Sequence, residues 1–156
     1  MMNIEEERSA GTILFRLEDS EPLYLTLHYT AGHWDFPKGN IEKGEKEKDT
    51  VIREVKEETG IDKIYFLDNF RRIIKYYYKR SEKVLVRKEV IFYLAYTPIK
   101  EVKLSFEHIG FDWLKFPDAL DRLTFKNSKE LLKEAHNYVL NYIKTRTKTL
   151  DEFSQP

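Results

Sequence analysis

The chain has 156 residues, with 27 Lys and Arg balanced by 27 Asp and Glu, no Cys, and 41% hydrophobic residues. That length suits one compact domain, and a net charge of zero argues against a protein built mainly to coat nucleic acid or an anionic membrane. Without Cys there is no disulfide framework, thiolate zinc site or Cys nucleophile, so any metal must be held by oxygen or imidazole, which favours a hard cation such as Mg²⁺.

Residues 1–8 are acidic and polar, unlike a secretory signal, and no apolar run approaches the roughly 18 residues needed to span a bilayer. The expected place of action is the cytoplasm, with no membrane partner. Ala10 to Phe15 and Leu23 to Tyr29 are apolar or alternating runs separated by polar Glu18 to Pro22, which predicts a pair of neighbouring strands. Gly32, Gly39, Gly44 and Pro37 then mark a structured loop. Val51, Ile52 and Val55 recur at helical spacing and Gly60 follows as a natural stop, so Glu47 to Thr59 is predicted to be a helix.

Tyr65 to Tyr78 and Val84 to Tyr96 are β-branched and aromatic, joined by polar Lys79 to Lys83, and predict a long hairpin. Phe111 to Leu114 reads as a short strand. Asn127 followed by Glu130 resembles a capping box, and Leu131, Leu132, Ala135, Tyr138, Val139, Tyr142 and Ile143 keep a helical period, predicting a helix over 127–144. The tail, 145–156, lacks periodicity and is expected to fray. No repeat or linker divides the chain, so 1–156 is read as a single domain.

Within the first helix, Glu54, Glu57 and Glu58 fall within an arc of about 100°, beside the apolar face that packs inward. Like charges so spaced repel by a few tenths of a kcal/mol per pair. They form either a solvated acidic face or a site where a cation gathers them. Arg53 stands one turn before Glu57 and can hold that carboxylate.

Gly39, Glu45, Arg53, Glu54, Val55, Glu57, Glu58, Gly60 and Ile61 carry the full 23-residue signature of the Nudix hydrolases over 39–61, which by chance would arise with probability below about 10⁻⁶. The chain is therefore identified as similar to that family. The resemblance implies an α/β fold, the Nudix α/β/α sandwich with a mixed central sheet, the acidic helix on one side and 127–144 on the other. It implies catalysis by Glu54, Glu57 and Glu58 with bound Mg²⁺, for which Mn²⁺ can stand in. A backbone carbonyl at Lys38 or Gly39 would join the metal site, and Glu45 would orient the loop or Arg53. An ordinary surface ion pair is the plainer reading of Arg53 and Glu45.

The flanking stretches HWDFPKG, His33 to Gly39, and SFEHIGFDWL, Ser105 to Leu114, resemble the asymmetric diadenosine tetraphosphate hydrolases. That resemblance implies that Glu107 approaches the metals, that His33, Lys38 and Lys88 contact phosphate, and that Tyr29, Tyr76 and Phe125 lie near the nucleotide. The hairpin is longer than the family form, so Tyr77 or Tyr78 competes with Tyr76, and Arg87 with Lys88. Phe36 stands where the family usually has a proline. Plainer roles are a loop histidine for His33, fold support for His108, and core packing for Trp34, Trp113 and Phe125. Lys75, Lys79, Arg80, Lys83, Arg87 and Lys88 form either a charge-protected strand edge or an electrostatic funnel.

The activity so implied is hydrolysis of a dinucleoside polyphosphate, diadenosine tetraphosphate giving ATP and AMP. The rivals are removal of pyrophosphate from an RNA 5′ end and a non-catalytic nucleotide sensor. The sequence leaves the oligomeric state open.

Overall fold

The computed structural model describes the backbone of residues 1–154 and the side chains of 1–146. In chain order the elements are strand β1 (Asn3–Glu18), β2 (Glu21–Tyr29), β3 (Trp34–Asp35), β4 (Lys38–Asn40), helix α1 (Glu47–Thr59), β5 (Tyr65–Ser81), β6 (Val84–Tyr96), β7 (His108–Leu114), α2 (Phe116–Arg122) and α3 (Lys126–Ser154). The strands form one sheet in the order β3-β2-β1-β6-β5, with β4 added to β1 and β7 to β2. Only β1 and β6 run parallel among the recorded pairings, so the sheet is mixed.

Alternation along the strands builds two cores. Ile13, Phe15, Phe92 and Leu94 face α2 and α3 through Ala119, Leu132, Ala135 and Val139. Ala10, Leu14, Leu25 and Leu27 face α1 through Val51 and Val55. The two long helices therefore cover opposite faces, as the α/β/α expectation requires. Helix α1 ends at Gly60, whose φ of 76° is a left-handed conformation that costs glycine little, and its N–H caps the Lys56 carbonyl.

Several boundaries differ from the sequence expectation. β1 starts at Asn3, because residues 3–15 pair in parallel with 84–96 and draw the acidic N-terminus into the sheet. The expected loop, 32–44, contains β3 and β4, which pair with β2 and β1. Helix α2 was not expected; Pro117 in its first turn and buried Ala119 account for it. Helix α3 starts at Lys126, with no capping bond from Asn127, and runs to Ser154 instead of stopping at 144. The expected fraying of 145–156 falls mostly outside the described side chains. No helix among the described residues is long and apolar enough to cross a membrane.

Candidate active site

The buried stripe Thr50, Val51, Val55 and Thr59 fixes α1 against the sheet and sets the direction of its acids. The Glu57 side chain is 58% exposed, whereas that of Glu58 is 3% exposed. Burial first, and then the charges of Glu54 and Glu107, push the Glu58 carboxyl up to about 9. Its Oε2 has no hydrogen-bond partner. Burial also raises Glu54, against the opposing pull of Arg53.

Arg53 ties helix to loop. Its Nε and Nη2 donate to Glu45 at 2.6 and 3.0 Å, Nη1 to Glu54 at 2.7 Å and Glu57 at 3.2 Å, and Nη2 to the Asn40 carbonyl at 2.9 Å. Glu45 also accepts from the Glu42 N–H and the Thr50 hydroxyl. The Arg53 bond chiefly, with these two, holds the Glu45 carboxyl down to about 2. The surface ion pair is therefore a bidentate brace that orients both the loop and the arginine.

The loop approaches closely because β4 pairs with β1, Gly39 opposite Ala10. A Cβ on Gly39 would lie 2.0 Å from Glu54 Cδ, so any side chain there would displace the Glu54 carboxylate from its place beside the loop. On the other side, the Thr30 N–H donates to the Glu107 carbonyl at 3.0 Å and the Ser105 N–H to the Glu58 carbonyl at 3.2 Å, which anchors the loop bearing Glu107 to β2 and to the end of α1.

Glu54, Glu57, Glu58, Glu107, Lys38, Gly39, Arg53, Tyr29, Tyr76, Tyr78 and Lys88 line one cleft of about 580 Å³. A neighbouring cavity of about 200 Å³ lies between Tyr76 and Phe125, over Ile74, Val90 and Phe92, and shares Tyr76 and Lys38 with the cleft. A larger apolar groove of about 610 Å³ beside Tyr65, Tyr96 and Tyr142 carries no acidic side chain and lies apart from these residues.

The hairpin alternatives separate by face. Tyr77 is exposed and Arg87 pairs with Glu6, both away from the cleft, while Tyr76, Tyr78 and Lys88 face it. Lys88 Nζ donates to Glu7 at 3.2 Å and to the Asn40 side chain at 3.1 Å, and the Tyr78 hydroxyl donates to Glu7 at 2.7 Å. Arg80 pairs with Glu5 and Glu7. Three of the six hairpin cations, Arg80, Arg87 and Lys88, are thus paired with the acidic start of β1, a partner visible in the sequence only if that segment is read as a strand.

An aromatic column joins the cleft to the cavity. Phe125 lies 5.3 Å from His33, His33 stacks on Tyr29 at 4.6 Å, and Tyr29 meets His108 edge-on at 4.4 Å. Burial pushes the Tyr29 hydroxyl well up, with the charges of Glu58 and Asp35 adding to it, and the hydroxyl donates to the Phe36 carbonyl at 2.7 Å. Burial holds His33 and His108 below the usual histidine value. His108 Nδ1 lies 3.1 Å from Ser105 Oγ, and its buried Nε2 lies 3.8 Å from Glu58 Oε1 without a hydrogen bond. Trp34 is not in the cleft; it stacks on His28 at 4.4 Å under Arg122, while Trp113 packs on the α1 side.

The sequence reading missed Glu7 and Asn40, which position Lys88, and buried Asp35, which accepts from the Phe36 N–H, the Ser128 hydroxyl and Lys38 Nζ. The position of Asp35 within HWDFPKG was a local signal; its partner Ser128 was not.

The donor set suits a hard divalent cation: carboxylate oxygens with a buried, unpartnered Oε2 and mutual repulsion that a positive ion would relieve. Among the described residues no three Asp, Glu or His side chains converge closely enough to hold an ion in these rotamers, since Arg53 takes up Glu54 and Glu57.

Known proteins resemble the chain over most of its length. The NUDIX domain family model matches residues 6–135. The mouse asymmetrical bis(5′-nucleosyl)-tetraphosphatase is 33% identical over 146 residues, covering 85% of this chain and 95% of the relative. The crystal structure of a Caenorhabditis elegans Ap4A hydrolase binary complex superposes with a TM-score of 0.77 at 27% identity, over 86% of this chain and 98% of the other. An RNA pyrophosphohydrolase of Nitratiruptor is 46% identical, but over 43 residues and 28% of this chain.

Proposed function

The chain belongs to the Nudix family, and on that premise we propose that it is an Mg²⁺-dependent hydrolase that splits diadenosine tetraphosphate into ATP and AMP, acting in the cytoplasm. The observation that carries the reading is the junction of two spaces: the acidic cleft and the apolar cavity share Lys38 and Tyr76. A ligand with an aromatic base and a long phosphate chain fits such a pair, with its base in the cavity and its chain along the cleft. The names and extent of the similar relatives support the same choice.

Glu54, Glu57, Glu58, Glu107 and the backbone at Lys38 and Gly39 would hold the cation. When bound, a divalent ion supplies charge neutralisation at the phosphates and a more acidic water. Arg53, itself braced by Glu45, fixes the carboxylates of Glu54 and Glu57 on the rigid helix. Lys38 and Lys88 face the cleft as phosphate contacts. His33, expected as a phosphate contact, does not line it; its stacking on Tyr29 makes it a support for the ring and the loop. Tyr76 and Phe125 close on the base.

The RNA reading has less support. Its relative matches 43 residues of the chain, and the pairing of Arg80 and Arg87 with Glu5, Glu6 and Glu7 leaves the hairpin fewer free cations for a phosphate backbone. A sensor would not need four carboxylates directed into one cleft. The test is a panel of diadenosine tetraphosphate, 5′-triphosphorylated RNA, ADP-ribose and ATP, each with Mg²⁺. The highest kcat/KM is expected for diadenosine tetraphosphate; a higher value for the RNA would replace this proposal with its rival.

A further inference from the structure

Asn127 follows the start of α3 but performs no capping: its side-chain amide has no hydrogen-bond partner among the described residues. It lines the cavity between Tyr76 and Phe125, at an exposed position. Asp35, Ser128 and Lys38, three of the other polar side chains of that cavity, are committed to one another. Ser128 donates to Asp35 Oδ1 at 2.8 Å, and Lys38 reaches Asp35 Oδ2 at 3.4 Å. The Tyr76 hydroxyl offers donor and acceptor on one atom at the edge of its ring, so Asn127 is the side chain there that offers an uncommitted donor and acceptor side by side. At about 200 Å³ the cavity is smaller than a drug-sized site and suits a single ring system.

We propose that Asn127 reads the hydrogen-bonding edge of the nucleobase held between Tyr76 and Phe125, and that its reading is deliberately loose. The inference rests on the placement of a nucleoside in this cavity, as in the proposed function. Adenine presents an amino donor beside a ring-nitrogen acceptor; guanine presents a carbonyl acceptor beside an N–H donor. A carboxamide satisfies either pattern by rotating its terminal group through half a turn. Stacking between the two rings adds affinity without choosing a base. The wild-type site therefore accepts both purines.

A carboxylate cannot do this, because it only accepts. Asn127→Asp loses the bond to the guanine carbonyl but can still make two, accepting from N1–H and from the amino group beside it, and it sets an anion against the adenine ring nitrogen. The test is equilibrium binding of AMP and GMP to the full-length protein with Mg²⁺, measured by calorimetry for the wild type, Asn127→Asp and Asn127→Ala. Because a new charge at 127 opposes both monophosphates alike, the ratio of the two affinities is the readout. The wild type should bind both within a few-fold. Asn127→Asp should shift the ratio toward GMP by about 5-fold or more. Asn127→Ala should weaken both and leave the ratio unchanged. A ratio in Asn127→Asp equal to that of the wild type would overturn the inference, as would a wild type that binds neither nucleotide. Binding with the expected switch, in a protein that does not hydrolyse diadenosine tetraphosphate, would instead refute the proposed reaction and leave the base reading standing.

Discussion

Replacing Glu58 by Gln should stabilise the metal-free protein while removing its activity. The side chain is 3% exposed with an unpartnered Oε2, and burial followed by the charges of Glu54 and Glu107 lifts its carboxyl from 4.5 to about 9. Between those values the folded state holds a proton that the unfolded chain has released. The stability contribution is thus fully present below pH 4.5 and is lost as pH rises toward about 9. The slope approaches about 1.4 kcal/mol per pH unit, so from about pH 5 to about pH 8 the cost is roughly 2–4 kcal/mol once relaxation of the site is allowed for. His33 and His108, held below 6.5 by burial, act in the opposite direction at the acidic end, so the difference between variant and wild type is the quantity to follow. Urea unfolding in EDTA across this range should give curves that diverge with pH, Glu58→Gln being the more stable at about pH 8. Added Mg²⁺ should recover the wild type, because an ion bound only by the folded state stabilises it. Parallel curves, or a variant less stable at about pH 8, would refute the account of Glu58.

Gly39→Ala places a methyl 2.0 Å from Glu54 Cδ, so that carboxylate must swing away from the loop; at least about 10²-fold loss in kcat is expected with a stability loss of no more than about 1 kcal/mol, by steady-state kinetics and thermal melting. Arg53→Lys loses the fork that reaches Glu45, Glu54, Glu57 and the Asn40 carbonyl at once, so it should lower kcat nearly as far as Arg53→Ala; recovery by Lys would show that charge alone suffices. Phe125→Ala should raise KM for diadenosine tetraphosphate by about 5- to 150-fold, the equivalent of one stacking contact, with little change in melting because the ring is exposed. Early melting with an unchanged KM would make Phe125 a packing residue.

Local patterns were legible in the sequence where a single element carries them. Helix α1 has its expected bounds because the Val51 and Val55 stripe and Gly60 lie within one continuous segment, and the signature over 39–61 is itself continuous. Of the residues expected from the flanking stretches, Tyr29, Lys38, Tyr76, Lys88 and Glu107 line the cleft, Phe125 lines the neighbouring cavity and His33 lines neither; strand parity and Glu6 pairing turn Tyr77 and Arg87 away, while Tyr78 faces the cleft beside Tyr76. What escaped depends on pairing between distant segments. Glu5, Glu6 and Glu7 read as a polar terminus until β1 is laid beside β6, where they face the cations of the hairpin. Asp35 and Ser128 are 93 positions apart, and Asn127 was read as a cap because a capping box and a cavity-lining amide look alike in one dimension.

The most direct test of the proposed reaction is the identity of its products. Diadenosine tetraphosphate incubated with the wild type and Mg²⁺, then resolved by anion-exchange chromatography, should yield ATP and AMP in equal amounts, with no turnover in EDTA and at least about 10²-fold less with Glu54→Gln. Two equivalents of ADP, or turnover indifferent to EDTA and to Glu54, would contradict it.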